Sequence, residues 1–387
     1  MAYQDDCSLP EGLLEQICAR GLDGIGDAVR LVVNAAMQYE REAHLQASPY
    51  ERHPDRAGHA NGYKPKTVQT RVGEITFDVP QVREGGFYPK ALEKGLRSER
   101  ALNLALAQMY VQGVSTRKVT RVVEELCGVE VTSTQVSRAA AELDEVLSAW
   151  RDRPLGVCPY LYLDARYEKV RRNGQVADAA VLIAVGVDAD GHRLVLGVSV
   201  SLSEHEAHWR NFLLSLVERG LSGVQLVISD SHAGLKAARC AVLGGVPWQR
   251  CQFHLQQNAQ AYVPKQEMKG EVADDIRRIF NAASRSEADQ LLKACVVKYE
   301  KAAPRLAAWM EENIPEGLTV FSFPEAHWRK IRTSNGVERL NQEIRRRTRV
   351  ARLFPNEESL LRLVSAVLME ISDDWETDKR YVTFTSR

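Results

Sequence analysis

The 387-residue chain has no run of about 18 consecutive apolar residues, so no membrane-spanning helix is expected. Its N-terminus carries Asp5, Asp6 and Glu11 and has no basic segment leading into an apolar one, so no secretory signal is expected either. Cysteine is sparse and unpaired in pattern. The seven thiols (Cys7, Cys18, Cys127, Cys158, Cys240, Cys251 and Cys295) are odd in number, scattered, and never spaced CxxC. That argues against a disulfide scaffold or a cysteine-rich zinc module and for a reduced, cytoplasmic protein. Net charge is also missing, with 51 basic residues against 51 acidic ones, which by itself speaks against a polyanion partner. Low-complexity tracts and internal repeats are absent.

What is present is a globular composition, 44% hydrophobic and 26% charged, over a length that suits two or three domains. The charge is balanced but unevenly placed. Residues 1–50 hold eight Asp/Glu and three Lys/Arg, whereas residues 326–352 hold nine Lys/Arg against Glu338 and Glu343. Such a basic segment inside a neutral chain can mark a local polyanion site; the competing reading is a solvated helix face.

Apolar periodicity predicts helix over 11–46, interrupted at Gly21, Gly24 and Gly26. A Pro/Gly-rich linker over 48–65 and a β-hairpin over 66–82 follow. From 101 the pattern is helical again. Ser115–Leu126, a Gly128-bearing turn and Thr132–Leu147 read as helix-turn-helix, with Thr132 or Ser133 as cap and Thr134, Gln135, Ser137 and Arg138 offered to a DNA groove. An ordinary helical hairpin fits the same pattern. Beyond Pro154 come three strand-like runs (Tyr160–Asp164, Val181–Val187, Leu194–Val200), then a helix (Glu204–Arg219), a strand (Val224–Asp230), a helix (Ala233–Leu243) and a short strand (Val246–Cys251). That order predicts a mixed α/β sheet. Residues 254–312 are almost wholly helical, and the last 60 residues return with a basic helix, a stop at Phe354-Pro355 and an apolar helix.

Two of these strands are read as ending in an acid, Asp164 and Asp230. Strand ends suit catalytic groups, because a rigid element positions them and the loop beyond leaves space. Hard divalent cations take carboxylate oxygens. Taken singly, Asp164 could equally form a turn and Asp230 could cap the next helix. Glu338 is a third candidate. It also fits a capping box with Asn335 as cap. At about 100° per residue, Gln342, Arg345 and Arg349 share its stripe, an arrangement suited to a phosphodiester. Cys251 and His254 form a single C-x-x-H pair, too few ligands for structural zinc. Trp209 reads as core.

Several longer strings go beyond generic patterns: YLYLDARYEKVR (160–171), VISDSHAGLKAA (227–238), QRCQFHLQQNA (249–259) and RTSNGVERLNQEIRRRTR (332–349), preceded by NGYKPKTVQTRVGEITFDVPQVR (61–83) and FYPKALEKGLRSERALNLALAQMYVQGVSTRKV (87–119). In this order they resemble the signature blocks of Mutator-related bacterial insertion-sequence transposases. The resemblance implies an α/β ribonuclease-H-like catalytic domain with an all-helical insertion, preceded by a mainly helical DNA-binding region. The expected division is a helical segment over 1–50, linker and hairpin over 51–100, helix-turn-helix over 101–153, the first part of the catalytic core over 154–253, the insertion over 254–327 and the final core helices over 328–387. It implies a DDE triad on Asp164, Asp230 and Glu338, holding Mg²⁺ or Mn²⁺, with two ions expected. Arg166, Cys251 and His254 are expected in supporting roles, and Thr134, Gln135, Arg138, Asn341, Arg345 and Arg349 against DNA. The implied partners are the element's terminal inverted repeats, target DNA and at least one further copy of the chain. A nuclease that cuts without joining, and a DNA-binding regulator that has lost catalysis, are the rival readings.

Overall fold

The computed structural model describes residues 10–384 except 11, 52, 55, 84, 85, 96, 352 and 378. The chain divides after Glu142 into two units.

In the first unit, α1 (Leu13–Arg20) and α2 (Ile25–Leu45) are separated by a 3-10 turn over the expected glycines. Strands β1 (Ala60–Thr70) and β2 (Gly73–Val82) form an antiparallel ribbon. β1 starts inside the stretch read as linker and carries Pro65, which a two-stranded ribbon tolerates because both its strands are edges. Met37, Val68, Ile75, Phe77, Val79 and Leu92 make a small core between α2 and the ribbon. Helices α3 (Arg100–Val111), α4 (Thr116–Cys127) and α5 (Ser133–Ala141) enclose a second core of Leu102, Leu106, Val119, Val123, Val131 and Val136. Between α4 and α5 the chain turns at Gly128, whose φ of 63° is left-handed and favours glycine. Thr132 caps α5.

The second unit begins with α6 (Asp144–Arg151), whose Asp144 pairs with Arg362 at 2.6 Å. Next come β3 (Tyr160–Arg172), β4 (Gln175–Val187), β5 (Arg193–Ser201), α7 (Glu206–Glu218), β6 (Leu226–Ser229), α8 (Ala233–Val242) and β7 (Trp248–Arg250). The sheet order is β5-β4-β3-β6-β7. The first three strands form an antiparallel meander, and β6 and β7 join it parallel to β3. Alternation along β3 sends Leu161 and Leu163 to a core with Trp209, Phe212 and Leu213 of α7 and Leu235 of α8. Trp209 is fully buried there, as its sequence context predicts.

Four helices then leave the sheet: α9 (Gln252–Ala259), α10 (Met268–Phe280), α11 (Arg285–Tyr299) and α12 (Pro304–Asn313). They pack on their own core of Leu255, Val272, Ile276, Ile279, Leu306 and Met310. The chain returns through α13 (Glu325–Ile331), α14 (Asn335–Ala351) and α15 (Glu357–Thr377). The stop after α14 also fastens that helix to the sheet. Phe354 is buried, its N–H donates to Lys169 O at 2.9 Å, and its carbonyl accepts from Arg171 N at 2.8 Å. Among the described residues no helix is long and apolar enough to cross a membrane.

Candidate active site

β3 and β6 run in register from Tyr160↔Leu226 to Leu163↔Ser229. The next residue on each strand is acidic, so Asp164 and Asp230 follow the same rung of the sheet. The two strands then behave differently. β6 stops, and Asp230 Oδ1 accepts from Ser231 N at 2.7 Å as the chain turns towards α8. β3 continues to Arg172, paired with β4 throughout. Asp164 therefore does not end a strand, as the sequence suggested; it sits where its parallel neighbour ends. The missing rung leaves its side chain the space that a strand end would give. Gly234 supports this corner: a Cβ there would lie 2.2 Å from the Glu204 carbonyl oxygen, so no larger residue lets the 204–206 segment pack so closely.

The face of β3 that carries Asp164 also carries Arg166 and Glu168, two and four residues on, and α14 lies over it. Asn341 Nδ2 donates to Asp164 Oδ2 at 2.5 Å. Arg166 Nη1 donates to the Asn341 carbonyl and Nη2 to Glu168 Oε1. Thr348 Oγ1 donates to Glu168 Oε1 at 3.0 Å. Burial pushes the Asp164 carboxyl up to about 6; the Ala165 N–H, the charge of His254 and the Asn341 amide oppose the rise, and Asp230 adds to it.

Glu338 lies in the first turn of α14. The Ser334 carbonyl accepts from Val337 N (2.8 Å) and Glu338 N (3.1 Å), so Ser334, not Asn335, holds the cap position. Glu338 is thus one residue beyond the place from which a capping-box carboxylate reaches back, and that reading of it fails. Its Oε1 is buried and receives no hydrogen bond. His254 Nε2 stands 3.9 Å away.

Cys251 ties this helix start to the sheet. Its N–H donates to Ser229 O at 2.9 Å, and its Sγ accepts from Ser334 N (3.4 Å) and Ser334 Oγ (3.3 Å). Burial alone would raise the Cys251 thiol, but the neighbouring His254 and the two Ser334 donors outweigh it and leave the thiol below its ordinary value. His254 is raised to about 9, chiefly by the neighbouring Cys251 sulfur against the opposing effect of burial, with Asp230 and Asp164 adding to the rise. The contact with sulfur is electrostatic rather than a well-aligned bond, since His254 Nδ1 is buried and has no partner at hydrogen-bonding geometry.

Two ligand sets can be weighed. Cys251, His254 and Glu338 place ligand atoms within 4.8 Å of one another. They number three where structural zinc takes four, and the sulfur already accepts two donors. The expected set, Asp164, Asp230 and Glu338, is not such a cluster among the described residues, but Asn341, three residues after Glu338, touches Asp164. Here Glu338 Oε1 and Asn341 Oδ1 are both buried acceptors without a donor. A surplus of oxygen acceptors fits a hard divalent cation.

An open cavity of about 850 Å³ adjoins this set, lined by Arg166, Tyr167, Asn341, Gln342, Arg345 and Arg349 among others. The arginines of α14 divide by neighbourhood. Arg346 pairs with Glu343 at 2.6 Å, and Arg347 with Glu343 at 3.0 Å and Glu370 at 2.9 Å. Arg345 and Arg349, which line the cavity, are exposed and make no ion pair among the described residues.

Of the DNA contacts expected in the first unit, Thr134 and Arg138 are exposed on α5. Gln135 is held within the unit. Its Oε1 accepts from Thr132 N at 2.7 Å, completing a capping box, and its Nε2 donates to Gln69 Oε1 at 3.1 Å. Asn341 contacts Asp164. Sequence reasoning missed Ser334, Glu168 and Thr348. Only the spacing of Asn341, one turn after Glu338, could have signalled its place.

The description "Transposase, Mutator family" matches residues 11–378. The chain is 59% identical over 386 residues to the transposase for insertion sequence element IS406 of Burkholderia multivorans, covering 99% of this chain and all of that one. It is 44% identical to the ISRM5 transposase of Rhizobium meliloti, over 93% of this chain and 90% of that protein. With the transposase for IS256 in transposon Tn4001 of Staphylococcus aureus it shares 36% identity over 91% of each chain. A solved chain of a simian T-cell lymphotropic virus intasome in complex with PP2A regulatory subunit B56 gamma aligns at 11% identity over 53% of this chain and 64% of that one. Its TM-score of 0.18 is too low to bear on the fold. Matched along nearly its whole length by the family and by these relatives, the chain belongs to the Mutator family of transposases.

Proposed function

We propose that this transposase cleaves and joins DNA at a DDE site formed by Asp164, Asp230 and Glu338 on a ribonuclease-H-like sheet. The observation that supports the reading is the adjacent rung of β3 and β6, which sets two carboxylates side by side, with Glu338 linked to them through His254 and its Oε1 buried without a donor. The strand order, an antiparallel meander followed by two parallel strands, supports the fold assignment. The helices from α9 to α12 then form the insertion between the second acid and the third.

The three carboxylates would hold Mg²⁺ or Mn²⁺, with two ions fitting the displacement best. Two such ions activate an attacking oxygen and stabilise a leaving one in an in-line displacement at phosphorus. The chain's own residues do the rest. Arg345 and Arg349, exposed along the cavity, bind the phosphates on either side of the scissile bond. Arg166 braces α14 against β3 so that Glu338 keeps its distance from Asp164. Cys251 holds the start of the same helix through Ser334. Water is the first nucleophile, the freed 3′-hydroxyl the second, and the same geometry serves both steps.

In the first unit, α5 would present Thr134 and Arg138 to the terminal inverted repeats. Pairing two element ends calls for at least two copies of the chain. The test is incubation of the purified protein with end-bearing DNA, with and without Mg²⁺, scored for cleaved and joined products. Products formed equally well in EDTA would overturn the metal-dependent reading, and cleavage without joining would make the protein a nuclease.

A further inference from the structure

We propose that Asn341 is a positioning residue of the carboxylate site, using its amide N–H to orient Asp164 and its amide carbonyl to face the bound cation. The inference rests on the DDE reading above and assigns within it a residue whose place in the sequence suggested a DNA contact.

A primary amide offers two N–H donors on one side and one carbonyl acceptor on the other. An ionised carboxylate can only accept, so the 2.5 Å contact fixes which side of Asn341 meets Asp164 Oδ2. The carbonyl then points elsewhere. It is buried, and no donor reaches it. Glu338 Oε1, three residues earlier on the same helix, is in the same condition. Residues three apart are neighbours on a helix surface. Two buried acceptors without donors, one turn apart on α14 and the second on a side chain that holds Asp164, are balanced by a cation with oxygen ligands.

The backbone of Asn341 is held as well. Arg166 donates to its carbonyl from β3, and the guanidinium is itself anchored by Glu168. The amide is thus fixed from both chain and side chain, as expected of a group that orients a metal ligand. A phosphate contact fits less well. Phosphate oxygens need donors; one amide N–H is taken by Asp164, and the buried carbonyl has none to give.

The experiment is a titration of the full-length protein with Mn²⁺, reading free Mn²⁺ by its electron paramagnetic resonance signal, for the wild type, Asn341→Ala, the size-matched Asn341→Leu, Asn341→Asp and Asp164→Asn. Metal-free affinity for end-bearing DNA is measured in parallel. Both Asn341→Ala and Asn341→Leu should weaken Mn²⁺ binding by about 10- to 100-fold, the usual effect of losing a residue that orients a ligand. Their DNA affinity should be unchanged, and Asn341→Asp, which keeps an oxygen acceptor, should recover Mn²⁺ binding. Wild-type Mn²⁺ affinity in Asn341→Leu, together with weakened DNA binding, would overturn the proposal in favour of a phosphate contact. Asp164→Asn separates the two levels. If it too binds Mn²⁺ as the wild type does, the DDE reading itself fails; if it loses Mn²⁺ while Asn341→Leu does not, only the role of Asn341 falls.

Discussion

Two aspartates in the second unit, Asp275 buried and Asp164 half-buried, have opposite surroundings. Asp275, on α10 in the helical insertion, is 1% exposed, yet it accepts from Lys298 Nζ (2.6 Å), Tyr299 Oη (2.7 Å) and the Arg278 guanidinium. Burial raises its carboxyl, but those donors outweigh burial and hold it below the ordinary value. Asp164, at the sheet, has the Ala165 N–H, the charge of His254 and one side-chain amide, yet burial wins, lifting it to about 6. The first carboxylate is a finished structural contact. The second is left undercompensated, as the proposed cation site requires. Compensation, rather than burial, separates the fold-stabilising acid from the one proposed as functional.

The comparison breaks first on activity. Asp164→Asn, Asp230→Asn and Glu338→Gln should each reduce cleavage and joining by about 10³-fold or more, each tenfold being about 1.4 kcal/mol of barrier. Their DNA binding should persist. Asp275→Asn should leave cleavage per folded molecule near normal, measured on gel-resolved end-cleavage products. Full activity in any one of the first three would remove that residue from the site.

A second contrast lies between arginines. Replacing Arg345 and Arg349 together by glutamine should weaken DNA binding and reduce the slope of log affinity against log salt by about 2, close to one unit for each lost phosphate contact. Arg346→Gln, which breaks only the pair with Glu343, should leave the slope alone. Equal slopes in both variants would reduce the cavity arginines to a solvated face.

Stability should then move in opposite directions for the two aspartates. Asp275→Asn leaves donors without their charged acceptor and should cost about 1–3 kcal/mol, read as a lower melting temperature. Asp164→Asn removes a carboxylate that folding holds without a cation, and should raise the melting temperature of the metal-free protein by a few degrees. The pH dependence has matching signs. Asp275 is depressed in the folded state, so its contribution is present above the unfolded carboxylate value, about 3.9, and is lost as the pH falls through the lower folded value. Asp164 is raised, so the metal-free protein should lose stability as the pH climbs from about 4 to about 6 and change little from this cause above that. Thermal melts of both variants across that range, in EDTA, check the signs; a drop in stability for Asp164→Asn would make it a structural acid like Asp275.

The smallest effect belongs to Gln135. Gln135→Ala should cost about 1 kcal/mol by removing half of a capping box and leave DNA affinity unchanged, whereas Arg138→Ala should lower affinity. A loss of binding in Gln135→Ala without loss of stability would return it to the groove.

Much of the fold is legible in the sequence. The strand, strand, strand, helix, strand, helix, strand order from Tyr160 to Arg250 follows from local periodicity, which a side chain's neighbours in sequence impose. The helical insertion shows for the same reason, and the pair of aspartates stands out because each follows an apolar run. Local pattern misleads where a distant partner decides. It does not show that Gln69 and Thr132 hold the Gln135 side chain. It ends the first strand of the sheet at Asp164, but β4 pairs with β3 eight residues further.

The sequence by itself determined the order of elements, the long blocks shared with Mutator-family transposases and the identity of the three candidate acids, because spacing and side-chain chemistry are properties of the chain alone. Tertiary structure decided which acids lack compensation, which α14 arginines face the cavity and which amide holds Asp164. Those properties depend on partners far away in sequence: Asn341 against Asp164, Glu370 against Arg347, Ser334 against Cys251. A hydrogen bond or ion pair is set by distance in space over a few ångströms, and no local pattern carries that distance until the sheet and α14 have packed together.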